Sequence, residues 1–158
     1  MAVKVCVFSD SHGYAENMIA AVELERPSAC VFLGDGERDL DELMRRYPNI
    51  TFYAVRGNCD IFSELNSALC FTVEGVRIYA THGHMSNVKI ESRYDTLASQ
   101  AVDAGAQIAL FGHTHSQHHS VNHGVTLINP GQAGRGYYPC YAVLTLENGT
   151  FQTELKSM

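Results

Sequence analysis

VKVCVFSDSH, residues 3–12, starts as a nearly continuous apolar run and ends in four polar side chains, Ser9, Asp10, Ser11 and His12. A short run rich in β-branched residues suits a strand covered on both faces, and such strands belong to parallel sheets. Outward from it, Ala15, Met18, Ile19 and Val22 recur at i, i+3, i+4 and i+7, the spacing of an amphipathic helix that ends near Pro27. ACVFLG (29–34) then reads as a second buried strand. Leu40, Leu43, Met44 and Tyr47 give a second helix, with Asp39 and Glu42 as a capping-box-like start and Pro48 as the stop. ITFYAV (50–55) is a third strand. This β-α-β-α-β order implies parallel strands joined by right-handed crossovers.

The second half has a different rhythm. CFTVEGVRIYATHG (70–83) predicts a hairpin turning at Glu74-Gly75. Tyr94, Leu97, Ala98 and Ala101 mark a third helix stopped by Gly105, and QIALFG (107–112) another buried strand. Two further hairpins turn at Asn122-His123-Gly124 and Asn148-Gly149. The expected fold is α/β: two packed mixed β-sheets with helices on their outer faces.

The 158 residues fit one domain spanning 1–158, and 46% apolar with 18% charged residues excludes a disordered chain. A net charge of −6 with no Lys/Arg-rich run argues against nucleic acid as a stable partner. Five cysteines without CxxC spacing, three of them in strand-like runs (Cys6, Cys30, Cys70), fit a reducing compartment. No signal-peptide pattern or membrane-length apolar run is present, so the expectation is a cytoplasmic protein without a membrane partner.

Polar groups close one predicted strand after another: Asp10 and His12, Asp35, Asn58 to Asp60, His82 and His84, then His113 and His115. Ligands of α/β sheets bind outside the carboxyl ends of strands. Each piece alone is explained by turn chemistry, because Asp, Asn and Gly favour turns. Together they give oxygen and imidazole donors without converging thiolates, which suits manganese, iron or zinc. Seven of them, Asp10, His12, Asp35, Asn58, His82, His113 and His115, exceed one tetrahedral ion and suit two ions sharing a carboxylate.

Asp10-x-His12, Gly34-Asp35, Gly57-Asn58, His82-Gly83-His84 and Gly112-His113-Thr114-His115 together resemble the calcineurin-like metallophosphoesterases. RGNCD (56–60), NPGQ (129–132) and the short length are similar to the small bacterial and archaeal phosphodiesterase branch. The resemblance implies a four-layer α/β/β/α sandwich with two divalent metal ions per chain. Manganese is the first choice, with nickel, cobalt, iron and zinc as alternatives. One ion would be held by Asp10, His12, Asp35 and His115, the other by Asp35, Asn58, His82 and His113. It further implies a phosphodiesterase, attacking phosphorus with a metal-bridging hydroxide, and a small phosphodiester substrate. Assembly as a homo-dimer or homo-tetramer is also expected.

Two positions depart from the family pattern. Many members carry a histidine after the metal-binding Asn, oriented by the next acidic residue; here Cys59 stands there, leaving Asp60 without a ring to orient. His84 is then the candidate acid or phosphate contact, with a supporting hydrogen-bond role as the alternative, and Asn58 and Asp60 are its catalytic companions. NPGQAGRG (129–136) replaces the commoner Asn-Pro-Gly-Ser, making Asn129, Gly131 and Arg135 candidate substrate contacts beside Cys59. Arg38 is a weaker candidate. His118, His119 and His123 are expected at solvent-exposed or rim positions, and Tyr137 and Tyr138 near the cleft mouth or an oligomer contact. The rival readings are a protein-binding scaffold on the same fold, like the retromer component that resembles this branch, and a mononuclear phosphomonoesterase or nuclease. The complete set of metal-competent residues separates the first from the enzyme, and metal stoichiometry separates the second.

Overall fold

The computed structural model describes residues 2–136 and 138–158. The three apolar runs of the first third form β1 (Val3–Phe8), β2 (Ala29–Phe32) and β3 (Thr51–Ala54), with α1 (Glu16–Glu25) and α2 (Glu37–Arg46) in the two crossovers. β1 pairs in parallel with β2 and β2 with β3, as the alternation of strand and helix requires. The later elements are β4 (Ala68–Val73), β5 (Val76–Thr81), α3 (Asp95–Asp103), β6 (Ile108–Leu110), β7 (Gln117–Asn122), β8 (Val125–Pro130), β9 (Cys140–Glu147) and β10 (Thr150–Ser157).

Two five-stranded mixed sheets result, in the orders β10-β9-β1-β2-β3 and β4-β5-β6-β8-β7. The first has its parallel trio β1-β2-β3 at one edge with the antiparallel β9-β10 hairpin beside it, and the second has its parallel trio β5-β6-β8 at the centre, flanked by antiparallel β4 and β7. All three predicted hairpin turns form with positive φ where expected: Glu74 and Gly75, His123 and Gly124, Asn148 and Gly149. Two successive left-handed residues match the twist of the flanking strands, which is why these turns favour Gly and Asn.

Three apolar layers show how the elements stack. Val5, Val7, Val31 and Leu33 of the first sheet meet Ile78, Ile108, Leu110 and Ile128 of the second. On the far side of the first sheet, Cys6, Phe8, Cys30 and Phe32 pack on Met18 and Val22 of α1 and Leu40 and Leu43 of α2. On the far side of the second, Ala109, Phe111 and Leu127 pack on Leu97, Ala98 and Ala101 of α3. The alternation of side chains along each strand thus buries both faces, and the α/β/β/α layering follows.

One local expectation is overturned. The capping-box start at Asp39 and Glu42 does not form: α2 begins earlier, at Glu37, without a side-chain cap. The Asp39 carboxylate instead accepts hydrogen bonds from Ser11 Oγ (2.5 Å) and the Gly13 amide (2.9 Å). An acid in a first helical turn that can reach neighbouring donors satisfies them in place of its own helix.

Candidate metal centre

The loops leaving β1, β2, β5 and β6 converge on one spot between the sheet ends. Asp10, His12, Asp35, His113 and His115 all sit in left-handed backbone, with φ of 57°, 46°, 65°, 70° and 64°. Non-glycine residues held there are strained, and such strain concentrates at functional sites. The loops also approach closely. A Cβ on Gly57 would strike the Asp35 carboxylate, and one on Gly112 would overlap Ser9 Oγ and Asp10. Glycine is the residue that allows these contacts.

Two sets of ligand atoms gather there, each mutually within 4.8 Å: Asp10, His12 and His115, and Asp35, His82 and His113. In the first, Asp10 Oδ1 lies 3.4 Å from His12 Nε2 and 3.1 Å from His115 Nε2. In the second, His82 Nε2 lies 3.2 Å from both Asp35 Oδ2 and His113 Nδ1. Asp35 Oδ2 also stands 3.8 Å from His12 Nε2, so this carboxylate faces both sets. The surroundings fix each donor. Asp10 Oδ2 accepts from Ser9 Oγ and from the His113 amide (3.1 Å), which turns Oδ1 inward. His82 Nδ1 donates to the Leu33 carbonyl at 2.7 Å, leaving the Nε2 lone pair toward the cluster.

Electrostatics agree with a cation site. Burial alone would raise the Asp35 carboxyl, but the His82 ring, the Cys59 amide and His12 hold it well below the usual carboxylate range. Burial pulls the His82 pKa down, but Asp35, Asp10 and the Leu33 carbonyl outweigh it and raise its affinity for a proton. His113 is lowered to about 4 by burial and by the charge of His82, which keeps its lone pair free. Asp10 Oδ1 is buried with no hydrogen-bond partner. A buried carboxylate oxygen without a donor is costly unless a cation meets it, and the oxygen and imidazole donors around it suit a divalent ion.

The model of the calcineurin-like phosphoesterase superfamily domain matches residues 3–149. The chain belongs to this superfamily. It is 31% identical over 153 residues to a probable metallophosphoesterase of Bacillus subtilis, covering 92% of this chain and 86% of the relative. A solved structure of a predicted phosphoesterase from Streptococcus pneumoniae shares the fold with a TM-score of 0.82 at 23% identity, covering 99% and 90% of the two chains. The structure of an archaeal phosphodiesterase gives a TM-score of 0.70 at 19% identity, covering 97% and 99%.

Around the centre of this phosphoesterase domain, the other expected site residues divide. Cys59 stands beside His12 and Asp35, its sulfur within 4.8 Å of their ligand atoms. His84 is half-buried, its ring 5.4 Å from that of His82 and 6.2 Å from that of His113, with Nδ1 buried and unpartnered. Burial and the charge on His82 lower its affinity for a proton. Asn58 is exposed, and its amide nitrogen lies 3.6 Å from Cys59 Sγ.

The remaining expected residues are engaged within the fold. Asp60 has no free oxygen to serve the reaction: Oδ2 accepts from the amides of Asp35 (2.7 Å) and Gly57 (2.8 Å), and Oδ1 from those of Gly36 (2.9 Å) and Glu37 (3.1 Å). Asn129 and Gly131 are tied to each other and to the loop after β6. Asn129 is fully buried, its amide donating to the Gly112 carbonyl and Thr114 Oγ1 while Oδ1 accepts the Gly131 amide. Arg135 packs its guanidinium over Tyr14, 4.6 Å from the ring centroid. Two backbone amides of the same loop are occupied, Ala133 donating to the Ser9 carbonyl and Gly134 to that of Asp10.

His118 is half-buried and packs edge-on to Tyr94 with centroids 4.8 Å apart. Tyr138 is exposed and Tyr137 lies outside the described residues. Sequence reasoning missed Ser9, Ser11 and Asp39 as supports of the Asp10 loop. The hydroxyls flanking Asp10 in Ser9-Asp10-Ser11 are the signal that could have found the first two.

Proposed function

We propose that this chain is a dinuclear, divalent-metal-dependent phosphodiesterase. The observation that carries the reading is the pair of three-residue ligand sets with Asp35 facing both. Asp10, His12 and His115 would hold one ion and Asp35, His82 and His113 the other, with Asp35 shared and Asn58 reaching the second by a turn of its exposed side chain. Manganese is the proposed ion, consistent with the oxygen and imidazole donors. Bound ions would supply Lewis acidity, lowering the pKa of water and neutralising charge on the phosphoryl oxygens.

A cavity of about 350 Å³ opens beside the centre, lined by His12, Asp35, Arg38, Cys59 and Ile61 among others. Its size suits a small phosphodiester, and the exposed Arg38 can meet a phosphate oxygen at its rim. His84, with an unpartnered Nδ1, is the remaining group to contact the phosphate or the leaving oxygen. With Cys59 in the position where many relatives place a histidine, the enzyme should favour esters whose leaving groups are already acidic. The similar archaeal protein described as a phosphodiesterase supports the diester class. No helix among the described residues is long and apolar enough to cross a membrane. The five unpaired cysteines support a reducing, cytoplasmic setting.

The test is reconstitution of metal-free protein with Mn²⁺, Ni²⁺, Co²⁺, Zn²⁺ or Mg²⁺, assayed on an activated aryl phosphodiester and its monoester. Diester hydrolysis that depends on metal and exceeds monoester hydrolysis is the expected result. A folded protein that binds metal but hydrolyses neither ester would favour the scaffold reading.

A further inference from the structure

The ligand atoms form a third cluster, distinct in its chemistry. Cys59 Sγ, a His12 nitrogen and an Asp35 oxygen all lie within 4.8 Å of one another. This cluster is on the open side of the centre. Cys59 is exposed, the His12 side chain retains 40% of its surface, and all three line the 350 Å³ cavity. The sulfur is not there by a floppy loop. Its own amide donates to Asp35 Oδ1 at 2.8 Å, its carbonyl accepts the Ile61 amide at 3.1 Å, and Asp60 clamps the Gly57 and Asp35 amides on either side. The backbone of Cys59 is therefore tied to the carboxylate both metal sets face, and one side-chain rotation is all that remains to aim Sγ. His12 also belongs to the neighbouring set, where the buried Asp10 Oδ1, without a hydrogen-bond partner, lies 3.4 Å from its Nε2. The other four cysteines are buried or half-buried in the layers of the fold, which leaves Cys59 as the thiol that reaches the centre.

We propose that Cys59 is a thiolate ligand that completes the His12–Asp35 side of the centre when a thiophilic ion is bound, and so makes the identity of the metal a switch between an open and a blocked site. The inference rests on the metal-centre reading above. On binding, the Sγ–H bond breaks, the proton leaves to solvent, and a sulfur–metal bond forms with no change of oxidation state. Zn–S bonds are short, about 2.3 Å, and soft ligands favour zinc and cobalt over manganese. The sulfur then occupies the cavity side from which a phosphodiester must approach. A hard ion such as Mn²⁺ leaves the thiol protonated and the cavity open. The chain thereby trades affinity for thiophilic ions against access of the substrate.

Cobalt titration of metal-free protein reads both claims separately. Visible d–d bands report that the imidazole and carboxylate ligands have taken up Co²⁺, and a near-ultraviolet sulfur-to-cobalt charge-transfer band reports thiolate ligation. The wild type should show both, and Cys59→Ser and Cys59→Ala should lose the charge-transfer band while retaining the d–d bands. Wild-type d–d bands without the charge-transfer band would overturn the thiolate assignment and leave the metal centre standing. A charge-transfer band that survives in both variants would assign the sulfur to another cysteine and overturn it equally. Absence of all bands, with no cobalt retained on dialysis of folded protein, would remove the metal centre and the thiolate with it.

Discussion

The five left-handed residues at the cluster, Asp10, His12, Asp35, His113 and His115, each store backbone strain on the order of 1–3 kcal/mol. Strain of that size persists only where neighbours over-determine the conformation, and Asp60 shows how this is done. Its carboxylate gathers four backbone amides of the β2 and β3 end loops and thereby holds Asp35 in place. Asp60→Ala is expected to lower stability by about 2 kcal/mol, since charge-assisted bonds to amides are lost, and to weaken metal binding by about 10–100-fold. Denaturant unfolding and metal titration measure the two effects. An unchanged metal affinity would show that Asp35 does not depend on this clamp. At this scale the candidate ligands were legible because each polar group ends an apolar run. The internal hydrogen bonds of Asp60 and Asn129 were not legible for the same reason: a polar residue at a strand end looks alike whether it faces the cleft or ties two loops together. What separates them is the count of backbone donors and acceptors within reach, which only the folded loops reveal.

Between elements, polar contacts decide which loops move together. Asn129 at the end of β8 binds the Gly112 carbonyl and Thr114 Oγ1, so it fixes the loop that presents His113 and His115. Asn129→Ala leaves buried partners unsatisfied and should cost about 1–3 kcal/mol. The substitution should also raise the metal dissociation constant while leaving the substrate KM of the fully loaded enzyme nearly unchanged. A selective rise in KM would restore Asn129 as a substrate contact.

On the opposite side of the first sheet, Glu25 of α1 is buried against Lys156 (2.7 Å), Tyr141 (2.8 Å) and Lys4 (3.4 Å). Burial would raise this carboxyl, but the three donors outweigh it and hold it below its usual range. A depressed carboxyl pKa adds stability above the unfolded value of about 4.3, and that contribution is lost as pH falls through the folded value. Glu25→Gln should therefore lower Tm at neutral pH, by about 2 kcal/mol of stability, and the gap from wild type should shrink in acid. A gap independent of pH would show that the charge is not what Glu25 contributes. The parallel trio β1-β2-β3 and the three hairpins were legible from continuous apolar runs and from turn residues. The pairing of β9 with β1 and of β8 with β6 was not, because sequence period fixes which face a strand buries but not which neighbour it chooses.

At the scale of the whole molecule, three apolar layers hold two sheets and their helices in register, and the buried Asp10, Asp35, Asp39 and His82 are all used by the ligand sets or support them. Metal binding to the folded state alone must then add to global stability. At about a hundredfold excess over the dissociation constant, one ion contributes about 2.7 kcal/mol. Thermal unfolding with and without Mn²⁺ should show that rise, and its absence at saturating metal would mean that the unfolded chain binds as well. The central claim, two ions facing one shared carboxylate, is tested most directly by counting the Mn²⁺ retained per chain after equilibrium dialysis of wild type and Asp35→Asn. The account predicts two ions in the wild type and no more than one held tightly in the variant. Two tightly held ions in Asp35→Asn, or only one in the wild type, would contradict it.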